Sequence, residues 1–394
     1  MVELLLVVGL VVAVFVGFNI GGSSTGVAFG PAVGSRVVSK LWAAVLMFGF
    51  ALLGGWTVGR NVVQTMGGQI VPADYFTLAA SVGVLFFVGL ALLVSNLFGV
   101  PASTSMTAVG AIAGLGVATG SLDWEVMGRI VSWWIVAPIA AFWVCAVIGR
   151  YLYPYLSVWL AIDRTGGFPI ELRHGGLLPR PAVAPGAGGR EVVGAVLVVA
   201  IGCYMAFSAG ASNVANAIAP LVGNGAVSMN GGILLAGGAI GLGALTIARR
   251  TLDTVGNDLT DLPLLAALVV EVVSASLITF LSAIGIPASL AVSATMSIVG
   301  LGWGRATRAT SLADAASSAV SGSGGALGTP TAGALPTEEP EAVAPIGEDP
   351  VDELGASELF RPAETGRVIT LWFATPTISA LLSYLLFRFV LVVG

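Results

Sequence analysis

Residues 99–116, GVPASTSMTAVGAIAGLG, recur at residues 285–302 as GIPASLAVSATMSIVGLG. Nine of the eighteen positions are identical at an offset of 186. Each stretch is too apolar for an exposed loop and too rich in Gly, Pro and Ser for one plain spanning helix. Such backbone is tolerated at membrane depth only where protein or a water-filled cavity surrounds it. The pair therefore predicts a duplicated unit with interrupted helices inside a bilayer.

Two further blocks repeat in the same order. Residues 18–35 match residues 207–224 at seven of eighteen positions, and Trp134 and Pro138 correspond to Trp372 and Pro376 at an offset of 238. The change of offset from 186 to 238 places an insertion of 52 residues in the second copy. Gly- and Ala-rich segments can align by chance, but three ordered blocks that include Pro and Trp favour duplication.

The composition requires a membrane. The 394 residues are 56% hydrophobic and 9% charged, with a mean hydropathy of +0.97, whereas soluble domains are about 25% charged. Several apolar runs reach the roughly 20 residues that a helix needs to cross a bilayer. We predict a multi-pass protein of the cell membrane, surrounded by lipid, with helices near 2–19, 40–58, 76–98, 127–160, 191–208, 228–248, 263–284 and 367–393.

The predicted fold is an all-α membrane protein with two inverted-topology helical repeats and broken or re-entrant helices. Residues 1–162 form the first repeat, and an Arg-rich loop at 163–190 separates it from the first part of the second repeat, 191–302. An acidic, disordered insertion at 303–366 precedes the final helix, 367–394. The four segments predicted to be broken are 20–35, 99–120, 209–225 and 285–302.

Several classes of function lack the residues they need. His174 is the only histidine, so a His-based metal site or a Ser-His triad has nothing to be built from. Cys145 and Cys203 lie in apolar runs and are read as buried thiols. There is no basic stripe for a nucleic acid. We therefore predict a protein that is not an enzyme, has no cofactor and binds no nucleic acid.

The broken segments predict an anion site. A half-helix that ends inside a membrane points unsatisfied N–H groups and the positive end of its dipole into the cavity. Short hydroxyl and amide side chains add donors there, although many such groups bond the carbonyl four residues earlier instead. The candidate substrate-binding residues are Ser23, Ser24, Thr25, Ser103, Thr104, Ser105, Ser212, Asn213, Asn216 and Ser289.

Two carboxylates are candidates for ion coupling. Glu271 lies within an apolar run, where ionisable groups are costly and usually functional. Asp253 follows another apolar run, close to two Arg residues.

The motifs resemble the inorganic phosphate transporter (PiT) family. The resemblance rests on FSAGASNVANAIAPLVGNG, RRTLDTVGNDLTDL and VVEVVSASLITFLSAIGIPAS in the second half, and on VAFGPAVGSRVV, GRNVVQTMGGQIV and LFGVPASTSMTAVGAIAG in the first. It covers nearly all of the chain outside the two loops. It implies a secondary transporter with inverted repeats, phosphate held between broken helices, and coupling to Na⁺ or H⁺.

The chain departs from the family signature G-A-N-D-x-A-N. The Asn-Asp pair is replaced by Ser23 and Ser24 in the first half and by Ser212 and Asn213 in the second. Neutral side chains cannot offset the charge of a cation or relay a proton. Phosphate near neutral pH carries a proton that seeks an acceptor, whereas sulfate needs donors only.

Three functions follow from these observations. The first is a phosphate permease that works by alternating access, with or without coupling to a cation. The second is a permease for sulfate or another oxyanion, and the third is a receptor or regulatory paralogue that does not transport. The sequence leaves a homodimer open.

Overall fold

The computed structural model describes residues 2–97, 103–160, 170–173, 180–183, 189–246, 263–309 and 362–390. The first half contains helices α1 Val2–Gly34, α2 Lys40–Thr57, α3 Gly59–Gln64, α4 Leu78–Leu97, α5 Thr104–Thr119, α6 Trp124–Val147 and α7 Tyr153–Leu160. The second half contains α8 Gly189–Gly223, α9 Met229–Thr246, α10 Leu264–Ala283, α11 Leu290–Ala309 and α12 Pro362–Phe389.

Short elements connect these helices. A π-helical turn, Thr65–Gln69, follows α3, and a second one, Ile148–Leu152, joins α6 to α7. A 3₁₀ turn spans Ala73–Tyr75. In the Arg-rich loop, strands β1 Ile170–Arg173 and β2 Arg180–Val183 pair antiparallel, with Ile170 opposite Val183.

The protein is a multi-pass membrane protein. Six helices of the described ranges are long and apolar enough to cross a bilayer: Glu3–Gly34, Lys40–Thr57, Trp124–Trp159, Val192–Gly223, Met229–Thr246 and Leu264–Ala283. Large apolar side chains such as Leu4, Trp42 and Ile135 are exposed on the outer surface, as lipid contact requires. Helices satisfy their own backbone hydrogen bonds, so an all-α architecture suits this solvent.

Two of the four segments predicted to be broken are continuous helix. Residues 20–35 belong mostly to α1, and residues 209–225 belong mostly to α8. Their small residues serve close helix packing instead: a Cβ on Gly21 would overlap the carbonyl oxygen of Ile240, and one on Gly210 would overlap that of Ala51. Close approach of backbones is the usual role of glycine between membrane helices.

The other two segments do contain helix starts. Ser103 caps α5 by accepting a hydrogen bond from the N–H of Met106, and Ser289 accepts one from the N–H of Val292 at the start of α11. Before α11, Gly285 adopts a left-handed φ of 75°, and its N–H bonds the carbonyl of Ser282. Gly tolerates this conformation, which ends α10 and turns the chain toward α11.

The two halves make reciprocal helix contacts. α1 packs against α9 while its repeat partner α8 packs against α2, and α5 packs against α12 while α11 packs against α6. The same reciprocity is seen for pairs of individual residues. Gly54 meets the carbonyl oxygen of Phe207, and its repeat equivalent Gly243 meets that of Phe18. Two units related by a two-fold axis make such contacts.

The equivalent helices α1 and α8 touch and run in opposite directions. A Cβ on Gly9 in α1 would lie 3.2 Å from a methyl carbon of Leu221, near the end of α8. A Cβ on Gly202, early in α8, would lie 2.9 Å from the ring of Phe29, near the end of α1. An inverted repeat predicts this antiparallel arrangement, while the orientation of each half in the bilayer and the domain boundaries stay predictions.

The predicted disordered insertion at 303–366 is too wide at both ends. α11 extends to Ala309, because Gly304 allows close packing against the carbonyl oxygen of Ala146 and Arg305 stacks over the ring of Tyr153. The final helix begins at Pro362 rather than at 367, as suits a residue whose fixed φ favours the first helical turn. Residues 310–361 lie outside the described ranges.

Candidate functional site

A polar face on α8 passes through the apolar core. Ser208, Ser212 and Asn216 follow one another at intervals of four along the sequence, so they lie on the same face of the helix. All three side chains are buried, and so is Asn213 beside them. Because α8 is continuous here, the positions of these side chains are fixed by a regular helix and not by a loop.

The N-terminus of α5 meets this face. Thr104 Oγ1 donates to Asn213 Oδ1 at 2.6 Å, and the hydroxyls of Ser105 and Ser212 are 3.2 Å apart. The first N–H groups of a helix have no carbonyl partner within that helix. The start of α5 therefore brings backbone donors, hydroxyl groups and the positive end of a helix dipole to one place.

Asn216 lies at the centre of the contacts. Its Nδ2 is 3.0 Å from Asn213 Oδ1, 3.1 Å from Ser105 Oγ and 3.3 Å from Thr104 Oγ1. An amide nitrogen carries two hydrogens, so it cannot satisfy all three acceptors at once. No described residue donates to Asn216 Oδ1, although that atom is buried. We call Thr104, Ser105, Ser212, Asn213 and Asn216 the junction cluster.

The start of α11 reaches the same cluster through Ser212. The Ser212 hydroxyl donates to the carbonyl oxygen of Ala288 at 2.7 Å, next to Ser289, which precedes α11 and is buried. Ser212 thus connects the beginnings of two helices, one from each half. No member of the junction cluster has a formal charge, so binding there would depend on N–H and O–H donors and on helix dipoles.

The first-half candidates have different surroundings. The Thr25 hydroxyl donates to the carbonyl oxygen of Gly21 in its own helix at 2.7 Å, and Ser24 is buried. The hydrogen bonds of the junction cluster that the structure describes do not include either residue. The Ser23 side chain lies outside the description. Ser103 is a helix cap, and its backbone carbonyl accepts from Thr107.

The two candidates for ion coupling are Glu271 and Asp253. Glu271 is buried in α10 with 4% of its surface exposed, and no described residue donates to either carboxylate oxygen. The equivalent position in α4, at the offset of 186, is Leu85. Asp253 lies outside the described residues.

Three hydrogen bonds around the cluster were not predicted. Ser208 Oγ donates to the carbonyl oxygen of Ala275 at 3.1 Å, and the hydroxyls of Ser274 and Ser297 are 3.2 Å apart. Trp134 Nε1 donates to the carbonyl oxygen of Pro287 at 2.8 Å, directly before Ala288. The i, i+4 spacing of Ser208 and Ser212 was the available signal for the first bond, since such residues share a helix face.

The fold and the site together define a class of protein. A duplicated helical membrane protein whose halves meet at helix N-termini, with neutral donors and an unsatisfied acceptor in the core, is built as a carrier for a small solute. The chain belongs to the phosphate transporter family, whose sequence model matches residues 20–164 and 186–383. Proteins of this family are transporters and not enzymes.

Individual relatives include permeases for two anions. The chain is 31% identical to the sulfate permease CysP of Bacillus subtilis over 291 residues, covering 74% of this chain and 75% of that protein. It is 25% identical to a Haemophilus influenzae protein named "Putative phosphate permease", covering 76% of this chain and 87% of that one. A solved structure of a sodium-dependent phosphate transporter shares the fold with a TM-score of 0.68, at 17% identity and covering 99% of this chain and 100% of that one.

Proposed function

We propose that this chain is a secondary transporter that moves an inorganic oxyanion across the membrane, with phosphate as the first substrate. Family membership supports transport of a small inorganic anion. The single observation that carries the proposed site is the junction cluster, where two helix starts and α8 meet in the core. The hydroxyls of Thr104, Ser105 and Ser212 now bond to protein atoms and would turn toward a bound anion.

Alternating access follows from the same arrangement. The cluster joins α5 of the first half to α8 of the second, so movement of one half against the other would open it toward one side and then the other. Coupling to Na⁺ or H⁺ would make this movement accumulate the anion. Glu271 is the described carboxylate available for such coupling, and a homodimer remains a separate proposal.

Sulfate is the second candidate substrate, and two observations favour it. The junction cluster offers donors without a carboxylate, which suits an anion that carries no proton at neutral pH. The relative at 31% identity is a sulfate permease. Phosphate is retained first because the Asn216 Oδ1 atom offers an acceptor for its proton, and because the family model is that of phosphate transporters.

Flux measurements in proteoliposomes test the proposal. Purified protein would be reconstituted, and uptake of radiolabelled phosphate and of sulfate would be measured with each anion competing against the other, with and without a Na⁺ gradient. Saturable uptake of one anion, inhibited by the other only at higher concentration, is the expected result. Binding of either anion with no flux would instead support the receptor alternative and contradict transport.

A further inference from the structure

Two arginines lie side by side where α6 and α11 reach the same surface of the molecule. A Cβ on Gly304 in α11 would meet the carbonyl oxygen of Ala146 in α6. Further along the same two chains, a Cβ on Gly149, in the π-helical turn after α6, would lie 3.3 Å from the backbone nitrogen of Arg305. Arg150 follows Gly149 directly. Arg150 and Arg305 therefore stand on facing backbones, and we call them the arginine pair.

The arginine pair has carbonyl and aromatic partners. Arg150 Nη1 donates to the carbonyl oxygen of Thr307 at 3.0 Å, and the Arg150 guanidinium lies 5.7 Å from the ring centre of Tyr151. The Arg305 guanidinium lies 4.6 Å from the ring centre of Tyr153. No carboxylate in the described ranges pairs with either arginine. Since a guanidinium carries several N–H donors, these contacts leave donors and two uncompensated positive charges for a further ligand.

The arginine pair lies at the level of the lipid headgroups. Arg150 follows Trp124, an exposed residue at the start of α6, by 26 positions. A helix rises about 1.5 Å per residue, so the two residues are about 39 Å apart along the helix. A bilayer with its headgroup regions is about 40–45 Å thick. With Trp124 in one interface of the membrane, Arg150 reaches the other.

Exposed aromatic side chains lie on both sides of the arginine pair. Tyr151, Tyr155 and Trp159 are exposed beyond it, and Trp143 and Trp303 are exposed on its membrane side. The ring centres of Trp143 and Trp303 are 5.8 Å apart. Tyr and Trp favour the boundary between headgroups and hydrocarbon. An acyl chain needs such an apolar wall beneath its headgroup, whereas a small free anion does not.

The positive-inside rule predicts that this end of the molecule is cytoplasmic. α7 leads from the arginine pair into the loop at 163–190, which carries Arg164, Arg173, Arg180 and Arg190. Short Arg-rich loops stay on the cytoplasmic side. Anionic lipids give the cytoplasmic surface a negative potential, which attracts arginines beside a membrane helix. The charge of the pair and that of the leaflet are therefore complementary.

We propose that the arginine pair binds the phosphate group of an anionic phospholipid from the cytoplasmic leaflet, with the acyl chains against Trp143 and Trp303. Bonds from both guanidinium groups to one phosphate join the end of α6 to the end of α11. An anionic headgroup offsets the two positive charges, which a zwitterionic headgroup does not. The site is separate from the junction cluster, so the proposal does not depend on which anion is transported.

Lipid binding to the full-length protein in detergent tests this site. Native mass spectrometry would measure the binding of dioleoyl phosphatidylglycerol and of dioleoyl phosphatidylcholine, which share acyl chains and differ in headgroup charge. We expect phosphatidylglycerol to bind at least about tenfold more tightly, because two arginines attract it. Excess inorganic phosphate, compared with chloride at equal ionic strength, should lower phosphatidylglycerol binding less than about twofold, because screening is then the same.

A double variant, Arg150→Gln with Arg305→Gln, removes both charges and keeps side chains that can donate hydrogen bonds. We expect its preference for phosphatidylglycerol to fall to less than about twofold. Arg60→Gln is the matched control. Arg60 also stacks over an aromatic ring, 4.9 Å from the centre of Trp56, and donates to the Trp56 carbonyl oxygen. This control should keep the preference of about tenfold.

Each of four results would overturn the proposal. Equal binding of the two lipids by the wild-type protein needs no variant and so does not depend on how the double variant folds. Full preference in the double variant would place the lipid elsewhere. Displacement of phosphatidylglycerol by inorganic phosphate would make the site one for a free anion. A preference that appears only when the acidic residues of 310–361 are changed to amides would assign the arginine pair to that segment.

Discussion

Ser212, Asn213 and Asn216 in α8 occupy the positions that Ser23, Ser24 and Val27 occupy in α1, at the offset of 189. Opposite them, Thr104 and Ser105 at the start of α5 correspond to Leu290 and Ala291 at the start of α11, at the offset of 186. We call Ser23, Ser24, Val27, Leu290 and Ala291 the counterpart region. The junction cluster is a hydrogen-bonded set of five polar side chains, while three of the five residues of the counterpart region are apolar.

The close helix packing of the two halves is nevertheless similar. Gly114 allows close approach to the carbonyl oxygen of Ala380, and Gly300 does the same for Phe142, which is the position equivalent to Ala380. The backbone contacts are therefore alike in the two halves, whereas the polar side chains are not. Packing depends on small residues at matched positions in both halves, whereas the hydrogen-bonding side chains differ between them.

The largest expected effect concerns the shared scaffold. A Leu at Gly54 or at its equivalent Gly243 would overlap a carbonyl oxygen of the facing helix, and backbone cannot move aside as a flexible side chain can. We expect either substitution to cost more than about 3 kcal/mol and to abolish the folded, monodisperse protein. Size-exclusion chromatography of fluorescent fusions would measure the folded yield.

Two glycines at another pair of equivalent positions provide the control. Gly49 on α2 and Gly238 on α9 are related by the same offset of 189, and a Cβ at either would have nothing within 4 Å. Gly49→Leu and Gly238→Leu should leave the folded yield within about twofold, since helix propensity favours Leu over Gly. Loss of folding in one half only would break the claim that the scaffold is symmetric.

The next prediction compares the same substitution in the junction cluster and in the counterpart region. Asn213→Asp places a carboxylate among the donors of the junction cluster, where about 4 kcal/mol of repulsion is expected between unit charges some 4 Å apart at an effective dielectric of about 20. Anion uptake should fall more than about 100-fold. Ser24→Asp is the matched change in the counterpart region, and uptake per folded molecule should fall less than about tenfold. Equal losses would contradict the asymmetry.

Exchanging one residue between the regions is expected to have a smaller effect. Asn216→Val copies Val27 into the junction cluster and removes an amide that contacts Thr104, Ser105 and Asn213. Loss of a hydrogen bond to a charged group is worth about 1.5–3 kcal/mol, so uptake should fall about 10- to 100-fold. The reverse change, Val27→Asn, should lower uptake less than about threefold, as initial rates in proteoliposomes would show.

The smallest effect concerns a single hydroxyl. Ser105→Ala copies Ala291 into the junction cluster and removes contacts with Ser212 and Asn216. Because the hydroxyl gives up neutral partners in the protein when it turns to the anion, we take the net loss as about 0.5–1.5 kcal/mol, so the KM for the anion should rise about two- to tenfold with little change in maximal rate. Ala291→Ser should change KM less than about twofold, and an equal rise in both variants would contradict the assignment.

The sequence was sufficient to predict membrane helices and an interruption in each of the segments 99–120 and 285–302, where α5 and α11 begin. It was not sufficient to distinguish a broken helix from a closely packed one, because Gly and Ser serve both purposes. Gly21 and Gly210 lie inside continuous helices, and only the facing carbonyl oxygens of Ile240 and Ala51 explain them.

The binding role of the candidate residues stays a prediction. The structure brings five of the ten together, namely Thr104, Ser105, Ser212, Asn213 and Asn216. Sequence offsets could not show that Ser24 and Thr25 lie outside these bonds, since local partners such as the Gly21 carbonyl depend on the helix being continuous. The bond from Trp134 to Pro287 joins residues 153 positions apart and could not be inferred from local spacing.

The most direct test is to locate a bound anion. Crystals of the protein soaked with selenate or arsenate, which are heavier analogues of sulfate and phosphate, would give an anomalous difference peak at each bound anion. Our account predicts one peak within hydrogen-bond distance of Ser105 and Asn216 and none beside Val27 and Ala291. A peak beside the counterpart residues, whether alone or equal in height to one at the junction cluster, would contradict the claim that the substrate binds only at the junction cluster.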